Sequence, residues 1–164
     1  VYRLKDLKPL NIAEYNILLG HPEILTEGTD VTLVTYVSCV RIAQDAVKQL
    51  AEFNISVELI DVQTLLPFDL TDTILNSLKK TNRVVFFDED VPGGATAFMM
   101  QNVLERDNGY VYLDSAPVTI TGQEHRPAYS TDGDYFSNPS AETVFDAIYA
   151  IMHESNPLNY PKIY

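Results

Sequence analysis

Three consecutive carboxylic acids form the densest group of chemically capable side chains in this sequence. Asp88, Glu89 and Asp90 directly follow an apolar run that predicts a buried strand. The carboxyl ends of strands in an open α/β sheet form the edge at which ligands bind. Carboxylates there could hold Mg²⁺ or transfer protons. Neighbouring strand residues point to opposite faces, so the favoured interpretation is a strand end that faces solvent or an interface.

Two glycines shortly after these acids form a second candidate site. Gly93 and Gly94 precede a predicted helix, where free backbone amides could cradle a phosphate. The fuller phosphate-binding patterns G-x-G-x-x-G and G-x-x-x-x-G-K-[ST] do not occur in the sequence. Close approach of the loop to neighbouring backbone is therefore the favoured explanation. The glycines and the three acids leave open the alternative of a freestanding nucleotide-binding α/β protein.

The single cysteine and the three histidines match no known site. Cys39 lies near a predicted helix start, where the helix dipole lowers the pKa of a thiol, but no histidine is near it in sequence. The spacing of His21, His125 and His153 matches no metal motif. We expect structural or surface roles for these residues. A single cysteine also excludes an internal disulfide, which predicts a reducing, cytoplasmic location.

A large excess of acidic residues limits the partners that we expect. The chain has 11 Lys and Arg against 23 Asp and Glu, and a formal net charge of −12. This charge repels phosphate backbones and anionic lipids, which predicts neither nucleic-acid nor membrane binding. No apolar run reaches the roughly 20 residues that span a bilayer. The charge would attract a basic protein partner, although plain solubility is the favoured explanation.

One segment combines acids with aromatic side chains. Asp132 and Asp134 lie among Tyr129, Tyr135 and Phe136 in a segment whose pattern predicts an irregular loop over residues 123–138. Aromatic rings provide contact area and acids provide selectivity, so this mixture is typical of a protein interface. The residue order of a calcium-binding EF-hand loop is not met.

Alternating strand and helix signals must position all of these groups. The 164 residues suffice for one domain, and the alternation predicts a mostly parallel sheet between two helical layers. A strand at Ile24 should run antiparallel to the strand that begins at Val31, because the turn at Gly28 is too short for a crossover. Ser38 is the predicted cap of the first helix, and Pro139 is the predicted first residue of the last helix.

Five segments together resemble one protein family. These segments are residues 16–20, 28–36, 57–69, 79–84 and 116–122. They match, in this order, the patterns Y-x-I-P-L-G, E-G-x-D-V-T-[LIV]-V-[TA]-Y-G, V-E-V-I-D-L-R-T-[LI]-x-P-[LW]-D, K-K-T-x-R-[VL] and A-P-[VI]-x-R-[VI]-T-G. The chain thus resembles the C-terminal domain of the beta subunit in the thiamine-diphosphate-dependent component of 2-oxo acid dehydrogenase complexes.

Several positions depart from the family's pattern. Val37 replaces the glycine that usually follows Tyr36, and Leu18 replaces a proline. Asp88 stands where the family usually has a histidine before Glu89, so no role of that histidine is carried over. The tail after residue 154 is longer than in typical members.

The resemblance implies a fold and a domain organisation. The implied fold is a three-layer α/β/α arrangement of the transketolase C-terminal type, with a mixed five-stranded sheet that has one antiparallel strand. Residues 1–15 would be a linker or arm from an N-terminal pyrimidine-binding domain. Residues 16–154 would form the domain itself, and residues 155–164 a C-terminal tail.

The resemblance also implies a function that this chain does not complete alone. The parent would be an oxidoreductase that decarboxylates a 2-oxo acid of the pyruvate or branched-chain type and passes the acyl group to lipoyl. Its thiamine diphosphate and Mg²⁺ would lie between the alpha subunit and the beta subunit's N-terminal domain. The family's G-D-G and N-N motif is not in this chain. We therefore assign no catalytic, cofactor-binding or metal residue, and we expect the isolated chain to be inactive and to bind no cofactor.

The expected role is assembly. The implied partners are the alpha subunit or domain, a second beta subunit, and the acyltransferase component through its small basic subunit-binding domain. Asp114 lies near the family's acid before A-P and is the first candidate docking residue, followed by Asp132 and Asp134. The alternative within thiamine enzymes is the C-terminal domain of a transketolase or a deoxyxylulose-phosphate synthase-like enzyme.

Overall fold

The computed structural model describes residues 10, 13–126, 129 and 132–163. The side chain of Asp134 lies outside this part, as do residues 1–9, 11 and 12 of the predicted linker.

Five strands form one mixed sheet. The strands are β1 Glu23–Thr26, β2 Val31–Thr35, β3 Val57–Asp61, β4 Val84–Phe87 and β5 Val118–Ile120. Their order in the sheet is β1-β3-β2-β4-β5. β2 is parallel to β3 and β4, β5 is parallel to β4, and β1 is antiparallel to β3. The fold class and the reversed direction of the first strand are thus confirmed. β1 pairs with β3 because β3 and β4 already occupy both sides of β2.

Helices pack on the two faces of this sheet. The third helix continues into a π-helical turn at Gln101–Arg106, which a 3₁₀ turn at Gly109–Tyr112 follows. Within the described residues, no helix is both long and apolar enough to traverse a bilayer. The α-helices are α1 Cys39–Glu52, α2 Thr73–Thr81, α3 Ala95–Met100, α4 Gly133–Ser137 and α5 Ala141–Ser155.

Two apolar cores lie on opposite faces of the sheet. Every residue of β2 and β4 is buried, as expected for strands that helices cover on both sides. Successive strand residues alternate between the faces, so Leu33 packs toward α1 and α5, whereas Val34 packs toward α2 and α3. The sheet is therefore covered on both faces, and the ends of its parallel strands form an amino edge and a carboxyl edge.

Three local predictions near the helix ends were wrong. Ser38 precedes α1 but has a helical backbone and makes no side-chain capping bond. The last helix begins after Ser140, which forms a reciprocal capping box with Thr143. Asn138 and Pro139 therefore lie outside α5. The region predicted as an irregular loop contains the short helix α4.

Candidate functional site

The ends of β2 and β4 bring a polar group of side chains together at the carboxyl edge of the sheet. These strands are hydrogen-bonded neighbours and parallel, so the residues that follow them meet at one edge. A cavity of about 400 Å³ lies there. Its lining consists of Tyr36, Val37, Ser38, Asp88, Glu89 and Asp90.

Asp88 faces inward and is already hydrogen-bonded. It is buried, and its Oδ2 accepts a hydrogen bond from the Tyr36 hydroxyl at 2.9 Å. Its Oδ1 accepts from the backbone N–H of Glu89 at 2.7 Å. Burial, followed by the hydrogen bond to Asp88, raises the pKa of Tyr36 far above its usual value. Tyr36 is thus a fixed neutral donor, and both Asp88 oxygens are occupied.

Asp90 folds back on its own loop. Its Oδ1 accepts from the N–H of Val91 at 2.8 Å, and its carbonyl accepts from the N–H of Gly122 at 2.8 Å. A Cβ atom at Gly94 would lie 2.5 Å from Asp90 Oδ2. The same Cβ atom would lie 3.2 Å from the Val91 carbonyl oxygen. The absence of a side chain at Gly94 therefore allows the Asp90 carboxylate to lie close to the backbone.

The three acids do not converge on one point. Asp88 is buried, whereas Glu89 and Asp90 are exposed. Nowhere in the described part of the chain do three His, Cys, Asp or Glu side chains form a group that could hold a metal ion. The Asp90 carboxylate lies against Gly94 at the start of α3, where it would repel a phosphate. These residues do not fit Mg²⁺ or a diphosphate.

Cys39 lies beside this edge as a buried thiol. Its side chain is 1% exposed. Burial, followed by the charges of Glu89 and Asp88, raises the pKa of the thiol to about 11. These effects outweigh the lowering of the thiol pKa that the position near a helix start predicted.

The candidate docking residues lie at two different edges. Asp114 is exposed, and its N–H donates to the Asn82 carbonyl at 2.9 Å, which places it at the amino edge before β4. Asp132 is exposed ahead of α4. The N–H of Gln123 donates to the Ser137 carbonyl at 2.9 Å, which ties α4 to the carboxyl edge after β5. Asp114 and Asp132 therefore do not form one patch, and docking through either stays a prediction.

Sequence reasoning missed an ion pair on the α2 face that joins a buried carboxylate to a partly exposed lysine. Glu58 in β3 is 1% exposed and pairs with Lys80 of α2. The N–H of Gly28 also donates to Glu58 Oε2 at 3.1 Å. Burial alone would raise the pKa of Glu58, but hydrogen bonds from Lys80, Ser77 and Gly28 bring it below its usual value. The signal in the sequence was a lone acid between valine and leucine in a buried strand.

The fold and its edges define a class of α/β domain. A mixed sheet lies between two layers of helices, and hydrogen bonds join the residues at its carboxyl edge to one another. The chain belongs to the family described as "Transketolase, C-terminal domain", which matches residues 20–142. This match confirms the resemblance that the sequence motifs indicated.

Curated relatives agree with this assignment. The chain is 30% identical over 167 residues to "Pyruvate dehydrogenase E1 component subunit beta" of Rickettsia felis, which covers 93% of this chain and 51% of the relative. It is 39% identical over 113 residues to "Acetoin:2,6-dichlorophenolindophenol oxidoreductase subunit beta" of Bacillus subtilis, covering 69% of this chain and 32% of the relative. The chain spans about half the length of the Rickettsia relatives that it matches.

A solved structure shares the fold. "Split gene transketolase, inactive beta4 tetramer" superposes with a TM-score of 0.67 and 21% identity. The match covers 88% of this chain and 45% of that chain.

Proposed function

We propose that this chain is the C-terminal assembly domain of a 2-oxo acid dehydrogenase beta subunit. Similarity over 93% of the chain to a pyruvate dehydrogenase E1 beta subunit carries this proposal. The parent is then an oxidoreductase that acts on pyruvate or a branched-chain substrate such as 2-oxoisovalerate, with thiamine diphosphate and Mg²⁺. The cofactor would be held by other polypeptide, because the carboxyl edge of this domain does not fit it.

The domain's contribution is to hold subunits together. Residues 16–154 would form the assembly domain, after a linker over residues 1–15 and before a tail over residues 155–164. Its partners would be the alpha subunit and a second beta subunit. Exposed apolar side chains support such contacts, because contiguous apolar surface marks interaction sites. Examples are Leu18, Leu19, Leu66 and Leu70, whose exposures range from 63% to 80%.

Docking of the acyltransferase would use charge. The net charge of −12 favours a basic partner, and Asp114 is exposed at the amino edge. A neighbouring aromatic, Tyr110, is 61% exposed and supplies apolar contact area.

Calorimetry tests the docking. The subunit-binding domain of a pyruvate dehydrogenase acyltransferase is titrated into this chain and into its Asp114→Asn variant. We expect saturable binding that Asp114→Asn weakens about tenfold, because a charge pair at an interface is lost. Asp45→Asn is the matched control, since Asp45 is 64% exposed on α1. No binding by the unchanged chain would reject the docking role.

A second titration separates assembly from catalysis. Thiamine diphosphate with Mg²⁺ is added to the chain alone. We expect no saturable heat, because neither Asp88 nor the Gly94 turn is arranged to hold a diphosphate. Tight binding would show that this domain carries a cofactor site and would reject the proposal.

A further inference from the structure

The C-terminal segment folds back along the last helix and encloses a cavity. After α5 ends, the N–H of Tyr160 donates to the Asn156 carbonyl at 3.0 Å and reverses the chain. The Tyr149 hydroxyl donates to the Pro161 carbonyl at 2.8 Å, which holds the returning residues against α5. A cavity of about 250 Å³ lies between the two. Its lining consists of Asp146, Tyr149, Ala150, His153, Lys162 and Ile163.

The apolar part of this lining is held in place by ring contacts. Tyr149 is 8% exposed, and its ring stacks on Phe145 with centroids 5.7 Å apart. The same ring makes an edge contact with Tyr160 at 6.2 Å. Ala150 from α5 and Ile163 from the returning segment complete the apolar surface. Drug-sized ligands fill cavities of roughly 300–1,000 Å³, so this one suits a smaller molecule with a short hydrocarbon chain.

Two polar side chains lie beside this apolar surface. His153 Nδ1 lies 2.7 Å from the Tyr160 carbonyl oxygen. Because a carbonyl can only accept, Nδ1 carries the proton, and Nε2 of the neutral ring is left as an acceptor. Lys162 offers a positive charge and N–H donors, and it forms no hydrogen bond or ion pair with any residue that the structure describes. Asp146 already takes part in an interaction of its own, so His153 and Lys162 are the groups with which a ligand would pair.

We propose that this cavity binds a small apolar carboxylic acid that carries a hydrogen-bond donor on the carbon next to the carboxylate, as in a 2-amino or a 2-hydroxy acid. The carboxylate pairs with the Lys162 ammonium. The amino or hydroxyl group donates to His153 Nε2, and the hydrocarbon chain covers Tyr149 and Ala150. The C-terminal segment stays in place, because it supplies Lys162 to the site.

The two polar side chains select against related molecules. An amine without a carboxylate brings a second positive charge to Lys162 and gives it no acceptor. In a 2-oxo acid the donor is replaced by a carbonyl oxygen, which cannot bond to the lone pair of His153 Nε2. A carboxylic acid without the donor leaves Nε2 unpaired once the hydrocarbon chain has displaced water, which weakens binding.

Titration of the full chain with small probes tests this site, and amide NMR shifts follow the binding. Leucine and its 2-hydroxy analogue carry both polar groups. The comparison probes are the 2-oxo analogue of leucine, isocaproate, which lacks the donor, and isoamylamine, which lacks the carboxylate.

We expect saturable shifts at Ala150 and His153 for leucine or its 2-hydroxy analogue. The dissociation constant should be on the order of 1 mM, with at least about fivefold weaker binding of each comparison probe. Saturation by only one of the first two probes would support the proposal and identify the donor. Equal affinities for all the probes, or no saturable shift with either of the first two, would overturn it.

Point variants place the binding in this cavity. Lys162→Gln removes the charge and should weaken the stronger probe at least about fivefold. Ala150→Leu fills the cavity and should abolish binding, while α5 persists because both residue types are strong helix formers. Lys48→Gln is the matched control, since the Lys48 side chain is 75% exposed on α1, and it should leave the affinity unchanged. Equal affinities of the Lys162→Gln and Lys48→Gln chains would overturn the proposal.

These titrations involve neither the acyltransferase domain nor thiamine diphosphate. The inference rests on the cavity of this chain alone, so it and the proposed function fail separately.

Discussion

The hydroxyl of Tyr36 donates a 2.9 Å hydrogen bond to the buried carboxylate of Asp88 and so joins the ends of β2 and β4. Asp88 occupies the position at which the resembling family usually has a histidine. The sequence alone left its role open between ligand chemistry and a strand end. The bond shows that this acid holds two strand ends together.

Tyr36→Phe should destabilise the domain by about 1.5–3 kcal/mol at pH 7, because a buried carboxylate loses a hydroxyl donor. Urea unfolding followed by circular dichroism measures the change. Tyr110→Phe is the control, since Tyr110 is 61% exposed, and it should change stability by less than about 0.5 kcal/mol. Equal midpoints for both variants would mean that the bond contributes nothing.

Val37→Gly should stabilise the domain. Val37 has φ of +53°, a left-handed conformation that is an outlier for a β-branched residue. Strain of this kind costs on the order of 1–3 kcal/mol. Glycine relieves the strain, but its greater loss of backbone entropy on folding destabilises the domain by roughly 0.5–1 kcal/mol. We expect a net gain of about 1 kcal/mol in the free energy of unfolding.

A second exposed valine provides the comparison for this substitution. Val111 is 58% exposed, close to the 61% of Val37, and it is not among the residues with positive φ. Val111→Gly should therefore destabilise by about 0.5–1 kcal/mol. If both substitutions shift the midpoint in the same direction, the strain at Val37 is not real.

Glu58→Gln should lower stability by about 1.5–3 kcal/mol at pH 7, because the Lys80 ammonium and the Gly28 amide lose a charged acceptor. Folding lowers the pKa of Glu58, so its contribution is present above the usual value of 4.5 and is lost as pH falls through the folded-state pKa. The difference between variant and wild type should therefore shrink in acid. Denaturant unfolding at pH 7 and at about pH 3 measures both values.

Glu27→Gln is the control for this prediction. Glu27 also contacts Lys80, at 3.4 Å, but is 79% exposed. An exposed pair of this kind contributes little, so the expected change is below about 0.5 kcal/mol. A difference for Glu58→Gln that does not vary with pH would show that the carboxylate is not ionised in the folded chain.

Cys39 should resist thiol reagents in the native chain. Its pKa is raised from 9.0 to about 11, so at pH 8 the thiolate fraction falls about a hundredfold relative to the unfolded chain. A raised thiol pKa also means that this group's contribution to stability is lost as pH rises from 9 toward 11. Labelling with a chromogenic disulfide, with and without guanidinium, gives both rates. Fast native labelling would show an open, activated thiol.

Patterns that local chemistry determines were predictable from the sequence. The runs at residues 31–37 and 83–87 predict buried strands, because β-branched and aromatic residues suit a covered sheet. The structure has these strands at Val31–Thr35 and Val84–Phe87. The turn at Gly28 was too short for a crossover and correctly predicted the direction of β1. The family motifs then supplied the sheet type, which propensity alone does not determine.

Features that depend on distant contacts were not predictable. The ion pair of Glu58 with Lys80 joins residues 22 positions apart in sequence, and only the packing of α2 on β3 brings them together. The raised pKa of Cys39 likewise depends on its burial beside Glu89. Its position near a helix start had predicted a lowered pKa. The C-terminal residues return along α5 through tertiary hydrogen bonds, such as that from the Tyr149 hydroxyl to the Pro161 carbonyl, which leave no periodic signal in the sequence.

The separation of Asp114 from Asp132 has a consequence for how the domain can be held. β4 contributes four residues between the two edges, or about 13 Å of extended chain. A partner that binds at Asp114 would therefore meet the amino edge of the sheet, whereas a partner that binds at Asp132 would meet the carboxyl edge.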